Sequence, residues 1–358
     1  MTLSVAPSLE DFGWDDGWEA AFEPHRAAGL TPGRITIQHR GAYVLATAEG
    51  EVWAELPRRL LRLLEADGSV PAVGDWVGWH ELGGRAFVEA VLPRRSSFSR
   101  KTPWLDVREQ VVAANVDVVF LVQALPDDVN PRRLERYLAT AWESGALPEL
   151  VLTKVDLVDD PAPFVAEVEQ VAFGVPVHLV SNVTGEGLGE LRAEIQLGRT
   201  AALLGSSGIG KSTIVNRLAG QELLETQGLR RDGRGRHTTT HRELVLLPGG
   251  GIVLDTPGMR ELQLWSVEDG LERAFEDIDE LAAACRFTDC AHDGEPGCAI
   301  REALAAGSLD DERWQSYRKL QRELEGLRLR MDARARKERV RRIRVQAKAR
   351  RKDPKPGH

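Results

Sequence analysis

Gly205-Ser206-Ser207-Gly208-Ile209-Gly210-Lys211-Ser212-Thr213 decides the reading of this chain. The stretch matches G-x-x-x-x-G-K-[ST]. It follows the apolar run Ala201–Leu204 and precedes Ile214-Val215-Asn216-Arg217-Leu218, so strand, loop and helix come in the required order. Glycines let backbone N–H groups curl round phosphates with no Cβ in the way. The helix N-terminus adds positive potential. Lys211 offers a compact ammonium to the β- and γ-phosphates, a task that Arg's flat fork fills poorly, and Ser212 is placed for magnesium. Of the 47 basic residues 39 are Arg, and only Lys101, Lys154 and Lys211 precede Lys319, which makes a Lys here informative.

Three further motifs complete a GTP site. Asp255-Thr256-Pro257-Gly258 ends a predicted strand 43 residues after Ser212. There Asp255 suits the second magnesium-side acid, and Gly258 can turn its N–H to the γ-phosphate. Thr153-Lys154-Val155-Asp156 fits [NT]-K-x-D, whose carboxylate accepts two donors that guanine has and adenine lacks. Ser181-Asn182-Val183-Thr184-Gly185, after the next strand, fits the loop that supports the base. The order is therefore base, base support, phosphate, switch, magnesium acid, a circular permutation of the usual GTPase order. Because the ends of a compact domain lie at its surface, permutation leaves the site attainable.

Outward from these motifs the chain divides into five parts. Residues 1–33 lack a clear period and read as an extension or peripheral helix. Residues 34–100 alternate like strands and carry Gly-rich turns, a small antiparallel barrel of OB or SH3-like type. Within them, 93–103 read as a polar, basic linker that runs on to Pro103. Residues 101–268 hold apolar runs buried on both faces, such as 116–122, alternating with helical stretches, as in a doubly wound α/β sheet. Residues 269–327 read as helical. Ser308 is a candidate cap for a last helix, and Trp314, Tyr317, Leu320, Leu324 and Leu327 line one face. Residues 328–358 form a basic tail.

Cys285, Cys290, His292 and Cys298 lie within 14 residues and include every cysteine of the chain. Three thiolates and an imidazole suit a closed tetrahedral structural zinc site, with no position left open for catalysis.

The chain has 358 residues, 42% apolar and 28% charged, enough for several cores and unlike a disordered or collagen-like chain. Three cysteines exclude a disulfide scaffold. The net charge of −8 conceals a gradient: residues 326–358 carry 14 basic and three acidic groups, or +11, which leaves −19 on the rest. A basic arm on an acidic body points to nucleic acid or another acidic surface, and if it binds RNA the contacts should weaken steeply with salt. With no apolar run near the roughly 18 residues of a membrane helix and no signal-like start, the expectation is a cytoplasmic protein with no membrane partner. Nothing requires a dimer.

A permuted GTPase domain behind a small barrel, with Thr153–Asp156, Ser181–Gly185, Gly205–Thr213, Gly235-Arg236-His237-Thr238-Thr239-Thr240, Asp255–Gly258 and the metal box, resembles the ribosome small-subunit-dependent GTPase A family (RsgA, also called YjeQ). The likeness covers most of residues 34–310. It implies an OB-fold barrel, a P-loop GTPase domain and a zinc-binding helical domain. It implies GTP hydrolysis with magnesium, stimulated by the small ribosomal subunit during late maturation and coupled to release, and contact with rRNA. His237 is the candidate for orienting the attacking water, because Met259 stands where many GTPases have Gln. Thr239 is favoured to complete the magnesium shell. One departure stands out: the family's base motif usually begins with Asn, here Thr153, so weaker nucleotide binding with retained guanine preference is expected. Two other readings fit the residues less fully. One is an RNA-binding assembly protein with a slow, structural nucleotide site; the other is a P-loop phosphotransferase.

Overall fold

The computed structural model describes residues 7–39, 41–67, 69–101, 109–222, 243–255 and 268–325. The first helix, α1 (Asp16–Ala27), lies in the N-terminal extension and is capped by Asp15, which accepts from Trp18 N at 2.9 Å.

Five strands follow: β1 (Thr31–Gln38), β2 (Ala42–Thr47), β3 (Gly50–Glu55), β4 (Trp76–Leu82) and β5 (Arg85–Val91), with α2 (Arg58–Asp67) between β3 and β4. Their order is β1-β2-β3-β5-β4, and β4 pairs back onto β1, closing a five-stranded barrel of OB type. The barrel opens at Thr31 rather than residue 34. Ile35, Leu45, Val77 and Val88 fill its interior, as the alternation implies.

The stretch read as a linker is a strand. β6 (Ser97–Lys101) pairs antiparallel with β7 (Glu109–Ala114) in a separate two-stranded sheet. Phe98 is buried in the main apolar core, together with Val73, Val112 and Leu134, so the hairpin packs into that core.

The GTPase domain contains β8 (Val118–Ala124), α3 (Pro131–Ser144), β9 (Leu147–Thr153), α4 (Ala162–Glu169), β10 (Val177–Val180), α5 (Leu188–Glu194), β11 (Thr200–Leu204), α6 (Lys211–Ala219), β12 (Glu243–Leu246) and β13 (Ile252–Asp255). The sheet order is β10-β9-β8-β11-β13-β12, parallel except for β12. Every residue of β8 and β11 is buried, as expected of central strands with helices on both faces. The chain moves outward from β8 to β10, then returns to the centre at β11. This reversal is the topological switch point where α/β sheets bind ligands. Counted from β11, the order becomes phosphate loop first, which is the permutation read from the motifs.

β12 also pairs with β1, matching Ile37 to Glu243, so the GTPase sheet runs into the barrel wall. C-terminal to the sheet lie α7 (Glu268–Ala274), α8 (Glu276–Ala283), α9 (Ala299–Ala306) and α10 (residues 311–325). Trp314, Tyr317, Leu320 and Leu324 are buried on one face of α10. Its cap is Asp310, whose carboxylate accepts from Glu312 N and Arg313 N, not Ser308. Ser308 instead donates to Ala303 O at 3.2 Å at the end of α9, behind the left-handed Gly307. No helix among the described residues is long and apolar enough to cross a membrane.

Candidate functional site

Parallel strands bring their C-terminal ends to one edge. Thr153 ends β9, Ser181 follows β10, Gly205 follows β11 and Asp255 ends β13, so the four motifs converge there.

The phosphate loop is shaped by glycine. Gly205, Gly208 and Gly210 have φ of 154°, 82° and 102°. A Cβ on Gly205 would stand 2.4 Å from Val122 O, so only glycine fits between β8 and the loop. Gly210 leads into α6 in a left-handed conformation. Ile209 is buried and pins the loop to the sheet. Lys211 Nζ donates to Gly205 O at 2.7 Å and to Ser206 O, which holds the ammonium over the loop.

The two base loops are tied to this loop and to each other. Thr153 Oγ1 is buried and donates to Ile209 O at 2.8 Å, with Gln123 O at 3.3 Å. Asn182 Nδ2 donates to Gly210 O at 3.3 Å. Lys154 adopts a left-handed conformation, φ 60°, at the sharp turn out of β9. Asp156 is exposed, and its Oδ1 accepts from Ser181 Oγ. Ser181 Oγ accepts in turn from Val183 N at 3.2 Å and Thr184 N at 3.1 Å. That chain of bonds fixes the aspartate's orientation before any base arrives.

Three supporting residues escape the motif reading. Gln123, fully buried at the end of β8, clasps the cap of α3: its Nε2 donates to Asn130 O at 3.3 Å, and its Oε1 accepts from Asn130 N at 3.2 Å. Arg217 on α6 donates to Asn182 O at 2.7 Å. Tyr137 on α3 lies beside Ser206; burial pushes its phenol above the usual range. The signal for Gln123 is a polar side chain ending an apolar strand, since a buried amide needs partners.

For Asp255 the structure gives the backbone place at the end of β13. Gly258, Met259, His237 and Thr239 lie outside the described residues.

The second site is a metal centre. One ligand atom from each of Cys285, Cys290, His292 and Cys298 lies within 4.8 Å of all the others. Cys285 Sγ is 3.6 Å from His292 Nδ1 and 4.0 Å from Cys298 Sγ, and Cys298 Sγ is 3.5 Å from the same nitrogen. Tetrahedral edges built on metal bonds of about 2.3 Å to sulfur and about 2.0 Å to nitrogen are roughly 3.5–3.8 Å, so the cage fits. Burial, together with its neighbours Cys298 and Cys285, pushes Cys290 up to about 11. Burial also acts to raise Cys285, but the Ala299 and Ile300 N–H groups at the start of α9 and the neighbouring thiols bring it below its usual value. Glu295 braces the loop, accepting from the N–H groups of Ala291, Asp293 and Gly294 at 3.0 Å each. Trp314 of α10 sets its ring edge-on to His292, with centroids 5.7 Å apart.

Comparison with known proteins agrees. Residues 91–265 match the family model for the RsgA GTPase. Among curated proteins, the Small ribosomal subunit biogenesis GTPase RsgA of Opitutus terrae is 47% identical over 328 residues, covering 88% of this chain and 89% of its own. The chain belongs to the RsgA GTPase family. The Streptomyces coelicolor RsgA is 46% identical over 339 residues, covering 92% and 90%. Among solved structures, YjeQ from Thermotoga maritima superposes with a TM-score of 0.62 at 26% identity, over 83% of this chain and 99% of that one. YloQ, a circularly permuted GTPase, shares the fold with a TM-score of 0.59 at 23% identity, over 83% and 96%. As a member of this RsgA family the chain is a GTP hydrolase, with a Cys3His metal site in its C-terminal part.

Proposed function

We propose that this RsgA-family GTPase acts on the small ribosomal subunit in late maturation, with hydrolysis stimulated by the subunit and coupled to its own release. The observation that carries the reading is the convergence of the four nucleotide motifs on one sheet edge, in a chain about 46% identical to curated small-subunit biogenesis GTPases. In this reading Asp156 selects guanine by accepting from the two donors of the base, and Lys154, Val155, Ser181 and Asn182 frame the base. Gly205–Thr213 cradle the phosphates with Lys211 against the β- and γ-oxygens. Ser212, Asp255 and Thr239 would hold a magnesium ion, which would neutralise phosphate charge. Gly258 reports the γ-phosphate. His237 orients the attacking water in place of the usual glutamine. The Cys3His ion is zinc, in a structural role. The barrel and the C-terminal part grip rRNA, the latter through the basic tail. The protein works as a cytoplasmic monomer without membrane contact.

The switch half of the permuted domain leads directly into the C-terminal part, since Gly258 precedes Cys285 by only 27 residues. In our reading γ-phosphate contacts therefore bias the orientation of that part. The domain limits we propose are 1–33, 34–100, 101–268, 269–327 and 328–358, with the first barrel strand starting three residues earlier at Thr31 and the β6–β7 hairpin bridging the second and third. Met259 leaves room for one rival, an RNA-binding assembly protein whose nucleotide is mainly structural and slowly hydrolysed.

Two measurements test the reading. In competition binding, GTP and GDP should displace a labelled guanine nucleotide far better than ATP; equal displacement would overturn the guanine assignment. His237→Ala should lower subunit-stimulated turnover with little change in GTP affinity; an unchanged rate would remove His237 from catalysis.

A further inference from the structure

Thr153 raises a question of donors. A carboxamide has two N–H groups and a hydroxyl has one proton. In this fold the Thr153 proton is committed: Oγ1 is buried and donates to Ile209 O at 2.8 Å. The neighbouring base loop makes the matching contact on the next carbonyl of the phosphate loop, where Asn182 Nδ2 donates to Gly210 O. A Cβ on Gly210 would lie 2.8 Å from that Nδ2, so the approach depends on glycine. Arg217 of α6 holds the Asn182 carbonyl from the other side at 2.7 Å. Asn182 Oδ1 is shut off from solvent and meets no hydrogen-bond donor among the described residues. A buried acceptor in this state calls for a donor, and a bound nucleotide or a water it orders can supply one.

We propose that Asn182 is the positioning residue for the phosphate loop of this protein, performing from the base-support loop the tethering that an Asn at position 153 would otherwise perform. Thr153 and Asn182 act as a two-point clamp on consecutive carbonyls. The clamp sets the distance between the base pocket and the phosphate cradle, so it governs how well one rigid nucleotide spans both. The proposal rests on the guanine-nucleotide reading of the site.

The test is a rescue cycle on the full-length protein, reading GDP affinity by calorimetry and folding by thermal unfolding. Asn182→Ala should weaken GDP binding about tenfold at a near-native unfolding midpoint. Asn182→Asp keeps the volume but cannot donate, and should lose more. Thr153→Asn alone should change affinity less than threefold, while in the Asn182→Ala background it should restore affinity to within about threefold of native. A merely structural Asn182 would not be rescued from position 153. Native affinity in Asn182→Ala, or no rescue by Thr153→Asn, would overturn the clamp. Should Asn182→Ala fail to fold, Asn182→Ser carries the same rescue test. A native protein that binds no GDP would instead remove the nucleotide reading itself.

Discussion

The GTPase domain is joined to its neighbours in two unlike ways. On the barrel side the joint is buried and satisfied by backbone. Arg34 of β1 is almost wholly enclosed; it donates to Phe12 O, to Gly74 O at 3.3 Å and to Asn115 O at 3.0 Å, and lies over the Trp76 ring. Burial pushes its guanidinium down to about 10, still cationic at neutral pH. Those three carbonyls come from the extension, the barrel and the hairpin, so one side chain joins three parts of the chain. Trp14, Trp18 and Phe22 close the joint against Trp76, and Gly13 packs so tightly on Gly198 that a Cβ there would lie 2.4 Å from Gly198 O.

On the C-terminal side the apolar core runs on from Leu134 and Leu138 of α3 to Leu271, Phe275, Tyr317 and Leu320, and ion pairs are added to it. Helix α3 offers Glu135, which accepts from Arg132 at 2.7 Å and from Arg313 of α10 at 3.0 Å. Arg313 also pairs with Asp277, Arg136 pairs with Glu323, and Arg132 with Asp310. Glu135 Oε2 is buried without a donor among the described residues. α7 adds a tight steric contact, where a Cβ on Gly270 would lie 2.2 Å from Ala139 O. The outer pairs of this joint, such as Arg136–Glu323, are part-exposed and respond to salt, whereas Arg34 and its aromatic neighbours are sealed. In our reading, a nucleotide-driven reorientation would act at the α3–α10 joint.

Four perturbations, from the largest effect to the smallest, break or sharpen this contrast. Arg34→Ala should destabilise the barrel side by roughly 3 kcal/mol or more, because each orphaned buried acceptor costs about 1–3 kcal/mol; denaturant unfolding checks it, and a loss below about 1 kcal/mol would show that joint to be adaptable. Removing the Cys3His ion with a chelator, or replacing Cys298 by Ser, should melt the C-terminal part while GDP affinity stays near native, read by circular dichroism and calorimetry side by side. Glu135→Gln should cost about 1–2 kcal/mol, less than a typical broken buried pair of about 3–5 kcal/mol, because Arg313 keeps Asp277 and Arg132 keeps Asp310. Its sharper signature is a larger radius in solution scattering, growing with salt, with native nucleotide affinity.

The smallest effect is at Asp15, whose carboxyl is held below its usual value chiefly by the Arg95 guanidinium, bonded through both nitrogens at 2.6 Å. A depressed carboxyl stabilises fully above its unfolded value of 3.8 and loses that contribution as pH falls below it. The pair is about half exposed, so the contribution is about 1 kcal/mol or less. An acid titration of Asp15→Asn should run nearly parallel to native above pH 3.8 and converge with it below.

The nucleotide strands and the metal box were legible because their information is local. Gly205–Thr213 carries its own strand and helix, and the four metal ligands fall within 14 residues. The joints were not legible because their information is distant. Arg34 reads as a polar residue of an alternating strand, yet its acceptors lie 22, 40 and 81 residues away. The stretch 93–103 reads as a linker by composition, but pairing with 109–114 makes it a strand and buries Phe98. Ser308 has the chemistry of a cap, and Asp310 has the position. The sequence also shows Thr153 as a departure without showing that Asn182 stands beside the same loop.

The turnover of this GTPase is proposed to answer to the small ribosomal subunit. This is tested most directly by GTP hydrolysis under multiple turnover, with and without purified small subunits and with large subunits as control. Slow hydrolysis by the protein alone, and a rise of an order of magnitude or more with small subunits only, are expected. Equal rates in all three conditions would contradict the proposal.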